Sequence, residues 1–518
     1  MAKRVWSVLF VVLVAILLHL FSRYAAAPVT DFVLDDWTDL ETARSMPSCG
    51  SIWKWSLHEA DRPLALAMIH SSFHLFDNRP ELFAALSAFW TTLILLTICA
   101  LAYLLTGNLL TTFLTTVLFA ALPNLTWSFQ WIHHVTIAYM LWAYVASALC
   151  WVLYLRSERK GYLFLSAILY LIGLATYEVG VLLPVAFVAL QPSHQRRRIM
   201  LTMSLFVTAL ALYLCWRWGI LFGPKEHIVN GRDYLQGSLS LSLIWWNSKE
   251  VLRWWMGGHM FTCLREGLNG FAEMSPWHQR ALFVGDLLMV ALVWRILGWL
   301  SAWKTTPSTS CFSSKHVLWF GVLWVAAAHA TNLLSGAGAR LNLLPGIGVC
   351  LITAHLLSGF TLKTWRPLLM PALLICLITN QGTNYSWKEA GDFMRRLNNF
   401  LISHSAEWHD REVVLFDTAT LRHRTTPGLS SQIGNDPTTW AQYRNAGLMR
   451  GFSLNSMLRM ARPDKPAVIS ILDVEHDARI ENSELIWHDR YDPSKPHRTP
   501  LDKVCRVDCF AAGSGQEK

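Results

Sequence analysis

Apolar runs long enough to cross a bilayer recur along this chain, and no other feature limits its fold as strongly. Hydropathy places eleven of them, at residues 5–24, 82–106, 109–123, 135–155, 162–177, 180–190, 199–222, 281–303, 317–334, 342–360 and 367–380. A spanning helix needs about 20 apolar residues. The run at 180–190 is too short for that and is expected to form a hairpin with the run before it. Only 15% of the 518 residues are charged, where soluble proteins carry about 25%. The fold class is therefore a polytopic α-helical membrane protein of about 11 spans. Its formal net charge of +9 is read by location, and it gives no reason to invoke nucleic acid.

Basic clusters fix the orientation. Lys3-Arg4, Arg156 to Lys160, Arg196-Arg197-Arg198, Lys304 with Lys315, and Lys363 with Arg366 all fall on one side of the alternating spans. That side is the cytoplasm by the positive-inside rule. At the amino terminus, Ala25-Ala26-Ala27 resembles a signal-peptide cleavage site. The preceding run, Val5 to Phe21, is longer than a usual signal core, so an uncleaved first helix with a cytoplasmic amino end is expected.

Five segments then face the outer side. They are the loop 25–81, the stretch around Trp131-Ile132-His133-His134, the loop 223–280, the short loop 335–340, and the tail 381–518. Pro63 to Phe76 is apolar enough to form a helix at the interface. The composition turns polar after Asn380. Strand-like runs at Val413 to Phe416 and Ala467 to Leu472, with helical stretches such as Trp440 to Leu448, predict a soluble extracytoplasmic α/β domain over 381–518. Residues 1–380 form the transmembrane domain. The ten cysteines show no metal-site spacing. Cys505 and Cys509 are close enough for a disulfide if the tail meets an oxidising compartment.

Four outer-face features carry charge. Asp35-Asp36 follows the first span and adjoins Trp37, an indole suited to the interface. Asp61-Arg62-Pro63-Leu64 precedes the second span, Glu178 ends the fifth, and Arg340 opens the tenth. Ionisable groups at a membrane surface are costly to desolvate and need a reason.

In these features the sequence resembles a family. Phe32-Val33-Leu34-Asp35-Asp36, Arg62-Pro63-Leu64, the run Glu178 to Pro184 and the run Arg340 to Pro345 are similar to motifs of the GT-C membrane glycosyltransferases. The nearest branch is that of the protein O-mannosyltransferases and their transmembrane, repeat-bearing relatives. The resemblance covers roughly residues 5–380. It implies a GT-C-like catalytic domain that moves a hexosyl or pentosyl group from a polyprenyl-phosphate carrier to an extracytoplasmic glycan, lipid or protein, with inversion. The chain departs from the pattern at Phe83 to Ser87, where the family has a His and an Asn. It also departs at Leu341, where the family has Tyr, and at Asn124 to Ile132, which lacks an acidic residue. No helical repeat array follows the last span, so acceptor and sugar are left open.

The residues suit such chemistry on their own terms. Transfer needs a base for the acceptor, stabilisation of an oxocarbenium-like centre and a counter-charge for the departing phosphate. Asp36, with Asp35 beside it, is the candidate base, its pKa raised by neighbouring charge and by Trp37. Arg340 and Arg62 are the candidate phosphate ligands, since guanidinium offers planar, permanently charged contacts. Glu178, His133 and His134 are further site candidates. Each has a structural alternative: Asp36 as a helix cap, the arginines at lipid headgroups, Glu178 in an ion pair, and the histidines as polar surface. His329, within a span, is expected to be a hydrogen-bonded core residue. No protein metal site is expected, and a divalent cation at the acidic pair stays open. The expected home is a bacterial inner membrane, with the tail periplasmic or outside. The competing classes are a transporter or lipid flippase, which would place charge at mid-membrane in related halves, and a non-catalytic envelope scaffold.

Overall fold

The structure, a computed structural model, describes residues 2–32, 35–60, 62–123, 132–191, 196–217, 245, 248–249, 258–302, 312–335, 343–408, 410–417, 451–461, 469–472, 478–488 and 496–508. Its helices are α1 (Ala2–Tyr24), α2 (Asp35–Ser45), α3 (Cys49–Glu59), α4 (Pro63–Phe76), α5 (Pro80–Thr106), α6 (Leu109–Ala121), α7 (Val135–Ser157) and α8 (Lys160–Thr176). These are followed by α9 (Leu183–Val188), α10 (Arg196–Arg217), α11 (Gly258–Ala272), α12 (Pro276–Ala302), α13 (Ser314–Ser335), α14 (Leu343–Gly359), α15 (Leu362–Ser403) and α16 (Gly451–Ala461). The described residues of the apolar runs are mainly helical, the run at 180–190 only over Leu183–Val188, and among the described residues five helices are long and apolar enough to cross a membrane. Local chemistry sets the ends. Proline opens α4 and α5, where its missing N–H leaves no intrahelical bond unmade. Gly107 ends α5 with φ 62°, a left-handed conformation that a Cβ would oppose. Asn108 caps α6 by accepting from the N–H groups of Leu110 and Thr111.

Helix α7 is the axis of the bundle, with 89% of its spanning window buried, against 28% for α10, α12 and α15. Its partner α8 can close on it because Gly173 and Gly180 leave room for Tyr144. A Cβ at either glycine would stand 2.6 or 2.5 Å from that ring. The Tyr144 hydroxyl donates to the Tyr177 carbonyl at 2.7 Å, which fixes the backbone where α8 gives way to the 3₁₀ turn Glu178–Gly180.

Helix α15 runs unbroken for 42 residues, about 63 Å at 1.5 Å per residue, twice the thickness of a bilayer core. The polarity change at Asn380 thus falls inside a helix. Hydropathy registers side-chain polarity, and the polar residues from Gln381 to Ser403 include no break that would stop the backbone. At this level α15 ties three neighbours together. Asn380 donates to the Ala121 carbonyl at 3.2 Å, Gln381 to Asp286 of α12 at 2.9 Å, and Asn384 to the Ala27 carbonyl at 2.8 Å. Gly382 meets Gly267 of α11 so closely that a Cβ would lie 1.8 Å from the Gly267 carbonyl oxygen.

The carboxyl-terminal half of α15 enters a second hydrophobic core. Phe32, Trp37, Leu40, Phe73 and Phe83 there meet Trp387, Phe393 and Leu397, with Val414, Phe416, Leu454 and Met457 from the tail. Trp37 is not an interfacial anchor. It is buried and sits edge-on to Phe32 at 5.7 Å between centroids, because the outer helices and the tail fold over it. Helix α16 docks on α2 through the Arg459–Glu41 ion pair and the Ser456 hydroxyl, 3.3 Å from Thr38.

The tail contains the expected mix of α and β. Strands β1 (Val413–Asp417), β2 (Ile469–Leu472), β3 (Arg479–Glu481), β4 (Glu484–His488), β5 (Pro496–Pro500) and β6 (Val504–Asp508) make two sheets. One is parallel in the order β2-β1-β6, with Val413 paired to Ile469 and Val504. The other is antiparallel in the order β3-β4-β5. The stretch Trp440 to Leu448, Cys509 and most of 223–257 lie outside the described residues.

Candidate functional site

Helix α2 carries two buried carboxylates one turn apart. Asp36 has no solvent exposure, and its Oδ1 accepts the backbone N–H of His133 at 2.7 Å. That N–H belongs to the 3₁₀ turn Ile132–His134 that leads into α7, where backbone donors lack intrahelical acceptors. Asp39 lies three residues on, 5% exposed. Its Oδ2 is 2.7 Å from His133 Nδ1, and its Oδ1 is 2.9 Å from His70 Nε2. The His70 ring, from α4, lies tilted against Trp55 of α3, 5.6 Å between centroids. Burial pushes the Asp39 carboxyl up, but the charge and hydrogen bond of His133, with those of His70, outweigh it and hold it well below the usual carboxylate range.

Nearby, Asp31 accepts the Phe32 N–H at 2.8 Å and pairs with Arg395 of α15 at 3.2 Å. Burial pushes this carboxyl above its ordinary value, against the pull of the Phe32 N–H and Arg395. Asp35 begins α2, and its side chain lies outside the described residues. His134 is fully buried at the start of α7, its ring 6.1 Å from that of His133.

A second cluster surrounds Glu178. Arg62 approaches its Oε2 at 3.5 Å and Arg217 its Oε1 at 3.1 Å. Arg62 also lies over the Tyr177 ring at 4.1 Å, and Arg217 donates to the Tyr213 hydroxyl at 3.1 Å. Two guanidinium groups on one carboxylate leave a surplus positive charge, on side chains 22–30% exposed. Tyr144 positions this cluster by holding the Tyr177 carbonyl. The two clusters share α4. Arg62 is its N-cap and His70 lies eight residues on, a separation of about 12 Å along the axis.

The structure thus brings Asp36 to His133, and Arg62 to Glu178. Arg340 lies outside the described residues. Asp39, His70 and Arg217 were not anticipated from sequence. The signal for Asp39 was its i, i+3 spacing from Asp36, and for His70 a lone imidazole in an apolar stretch. Among the described residues no group of three or more His, Cys, Asp and Glu side chains is arranged to hold a metal ion. Both Asp39 oxygens lie within hydrogen-bond distance of an imidazole nitrogen, and Asp36 Oδ1 accepts a backbone N–H.

No protein-family model matches the chain, and no curated protein matches it. Among solved structures it is similar to the archaeal oligosaccharyltransferase AglB from Archaeoglobus fulgidus, in complex with an inhibitory peptide and a dolichol-phosphate. The identity is 11% and the TM-score 0.43, over 98% of this chain and 77% of that one. A likeness this distant carries no argument. What stands on the helices themselves is an integral, multi-pass membrane protein.

Proposed function

We propose that this chain is a GT-C-like integral-membrane glycosyltransferase that moves a hexosyl or pentosyl group from a polyprenyl-phosphate carrier to an extracytoplasmic acceptor. The observation that carries this reading is α4, which joins a carboxylate–imidazole pocket to a guanidinium cluster across about 12 Å. A base, an acceptor oxygen, an anomeric carbon and a phosphate in line need three contacts of about 3 Å each. The placement of both clusters on one helix, with Arg62 and His70 about 12 Å apart along its axis, supports their serving the two ends of such a line. The acceptor hydroxyl gives its proton to the pocket and its oxygen bonds to the anomeric carbon. The bond from that carbon to the phosphate oxygen breaks, and its electron pair leaves with the phosphate. Attack opposite the phosphate inverts the centre.

By sequence, Asp36 and Asp35 are the candidates for the base, and the contact of Asp36 with the His133 N–H supports a place for it at this pocket. Arg62, with Arg217, faces the phosphate, and Glu178 holds both guanidinium groups until it arrives. Arg340 belongs to the same role by sequence. The lipid tail of the carrier lies between spans, and membrane lipid is the surrounding partner. The bacterial inner membrane and a periplasmic 381–518 region complete the proposal.

The test is turnover by purified protein of polyprenyl-phosphate mannose, glucose, galactose and arabinose, measured as released polyprenyl phosphate. Arg62→Ala is expected to reduce turnover about 10- to 100-fold, the loss of a charge-assisted contact of about 1.5–3 kcal/mol, and Arg62→Lys less. Wild-type turnover unchanged in Arg62→Ala removes Arg62 from the site. A transporter reading rests on Asp286, buried in α12. Substrate uptake into vesicles that is lost in Asp286→Asn would favour it.

A further inference from the structure

Resting on the transferase reading, we infer that His133, oriented by Asp39, accepts the proton from the acceptor hydroxyl, and that Asp36 positions it through the His133 backbone. An ionised carboxylate can only accept hydrogen bonds. Both imidazoles that touch Asp39 must therefore donate to it, His70 from Nε2 at 2.9 Å and His133 from Nδ1 at 2.7 Å. With Nδ1 protonated, neutral His133 carries its lone pair on Nε2. This is the arrangement in which a carboxylate fixes the tautomer of a catalytic imidazole and stabilises the imidazolium it becomes, without itself taking the proton.

Exposure separates the three members. The His133 side chain is 17% exposed, that of Asp39 8% and that of His70 4%. Of these three, His133 alone presents more than a tenth of its side chain to an incoming hydroxyl. Asp36 is fully buried, and its Oδ1 is already occupied by the His133 N–H, so its work is to hold the turn that carries the imidazole. In the step itself the acceptor proton moves to His133 Nε2. The oxygen bonds to the anomeric carbon, and the phosphate leaves with the bond's electrons toward Arg62 and Arg217. Among the described residues, the charged and titratable groups shown to contact His133 are its neighbour His134 and Asp36 and Asp39 of α2, with His70 of α4 on the far side of Asp39. Helix α5, which also packs on this turn, carries Glu81 as its only charged residue.

The experiment combines turnover with a readout that needs no substrate. Turnover of the polyprenyl-phosphate sugars is followed from pH 5 to 9 in full-length wild type, His133→Gln, Asp39→Asn and Asp36→Asn. Loss of a general base lowers rate about 10²–10⁴-fold, which is the result expected of His133→Gln. Asp39→Asn is expected to be slower and to shift the acid limb to lower pH, because removing a negative neighbour favours neutral imidazole. Asp36→Asn keeps an oxygen for the His133 N–H but replaces a charged acceptor by a neutral one, so it is expected to lower turnover by clearly less than His133→Gln does. A loss as large as that of His133→Gln assigns the base to Asp36 and overturns the inference. In parallel, diethylpyrocarbonate modification of His133 is read by mass spectrometry across the same pH range. It is expected in wild type, with its midpoint moved down in Asp39→Asn. Because this arm uses folded wild type as reference, it stands even if His133→Gln fails to fold. His133→Gln within threefold of wild type with an unchanged profile, or a His133 that never reacts, overturns the inference and leaves the transferase reading intact. A wild type that turns over no donor, with His133 reacting as expected, overturns the transferase reading, and the proton role falls with it.

Discussion

Between α12 and α15 the buried Asp286 carboxylate takes a hydrogen bond from the Gln381 amide at 2.9 Å. On α2, the buried Asp39 faces two imidazoles at 2.7 and 2.9 Å. A buried carboxylate needs partners. Both Asp39 oxygens have one, whereas at Asp286 only Oδ1 does and Oδ2 is buried without one among the described residues. The two sites also differ in what the partners can do. An amide does not titrate at working pH, so the Gln381 contact moves no proton and serves to join α15 to α12. Asn380 and Asn384 reinforce this by donating to backbone carbonyls of the α6 end and the α1–α2 connection. Imidazole gains and loses a proton near neutrality, so the outer site can do chemistry as well as hold shape. The chemistry of the donor, more than the depth of burial, separates a structural carboxylate from a functional one.

The largest expected effect that sharpens this contrast is at Asp36. Asp36→Ala removes the acceptor for a buried N–H, which costs about 1–3 kcal/mol of stability, and it releases the turn that carries His133. Turnover of polyprenyl-phosphate sugar is expected to fall at least tenfold. Asp36→Asn is expected to melt like wild type and to lose less turnover than Asp36→Ala. If the Asn variant melts like wild type yet has lost transfer, Asp36 is itself the base, and the imidazole is its accessory.

The spanning helices were legible because lipid demands about 20 apolar residues in a row, a signal that survives in any context. The outer site was legible only in part. Asp36 drew attention as half of a pair, and Arg62 and Glu178 as charges at span ends. Asp39 did not, because α2 (DDWTDLETARS) reads as a polar segment suited to solvent. It is buried by partners distant in sequence: α4 across one side, α16 across another. Trp37 was misplaced at the interface for the same reason. Hydropathy reports what a segment prefers by itself, and cannot report which later segments will fold over it. Arg217 and His70 share this property, since each gains meaning only from a residue more than 30 positions away.

A smaller effect tests the membrane site. Gln381→Leu deprives the Asp286 carboxylate of its amide, and a loss of about 1–3 kcal/mol is expected in detergent unfolding. Replacing both partners by apolar side chains of similar size should recover most of that loss, so Asp286→Leu with Gln381→Leu is expected to melt near wild type and to keep turnover. The corresponding pair outside, Asp39→Leu with His133→Leu, is expected to lose turnover however well it folds. Recovery of transfer in the outer double variant would erase the distinction between the two sites. Loss of transfer in the inner one, with stability restored, would do the same from the other direction.

The smallest effect is at Arg395, where α15 reaches the first outer loop. Its guanidinium lies 3.2 Å from Asp31 and 2.9 Å from Asp392, and is more than half exposed. Exposed ion pairs contribute about 0–1 kcal/mol, so Arg395→Ala is expected to lower stability by no more than that at pH 7. The sign of its pH dependence follows from Asp31. Burial raises this carboxyl in the folded state, and Arg395 opposes the rise. A carboxyl whose folded value lies above its unfolded value makes the fold more stable as pH falls through that folded value. Without Arg395 the rise is larger, so the variant gains more on acidification than wild type does. The gap between their melting temperatures is therefore expected to be widest at pH 7 and to close once Asp31 is protonated in both. A gap that stays constant between pH 7 and pH 4.5 would mean that Arg395 acts through Asp392 within α15, and that its contact with Asp31 leaves the stability of the first loop unchanged.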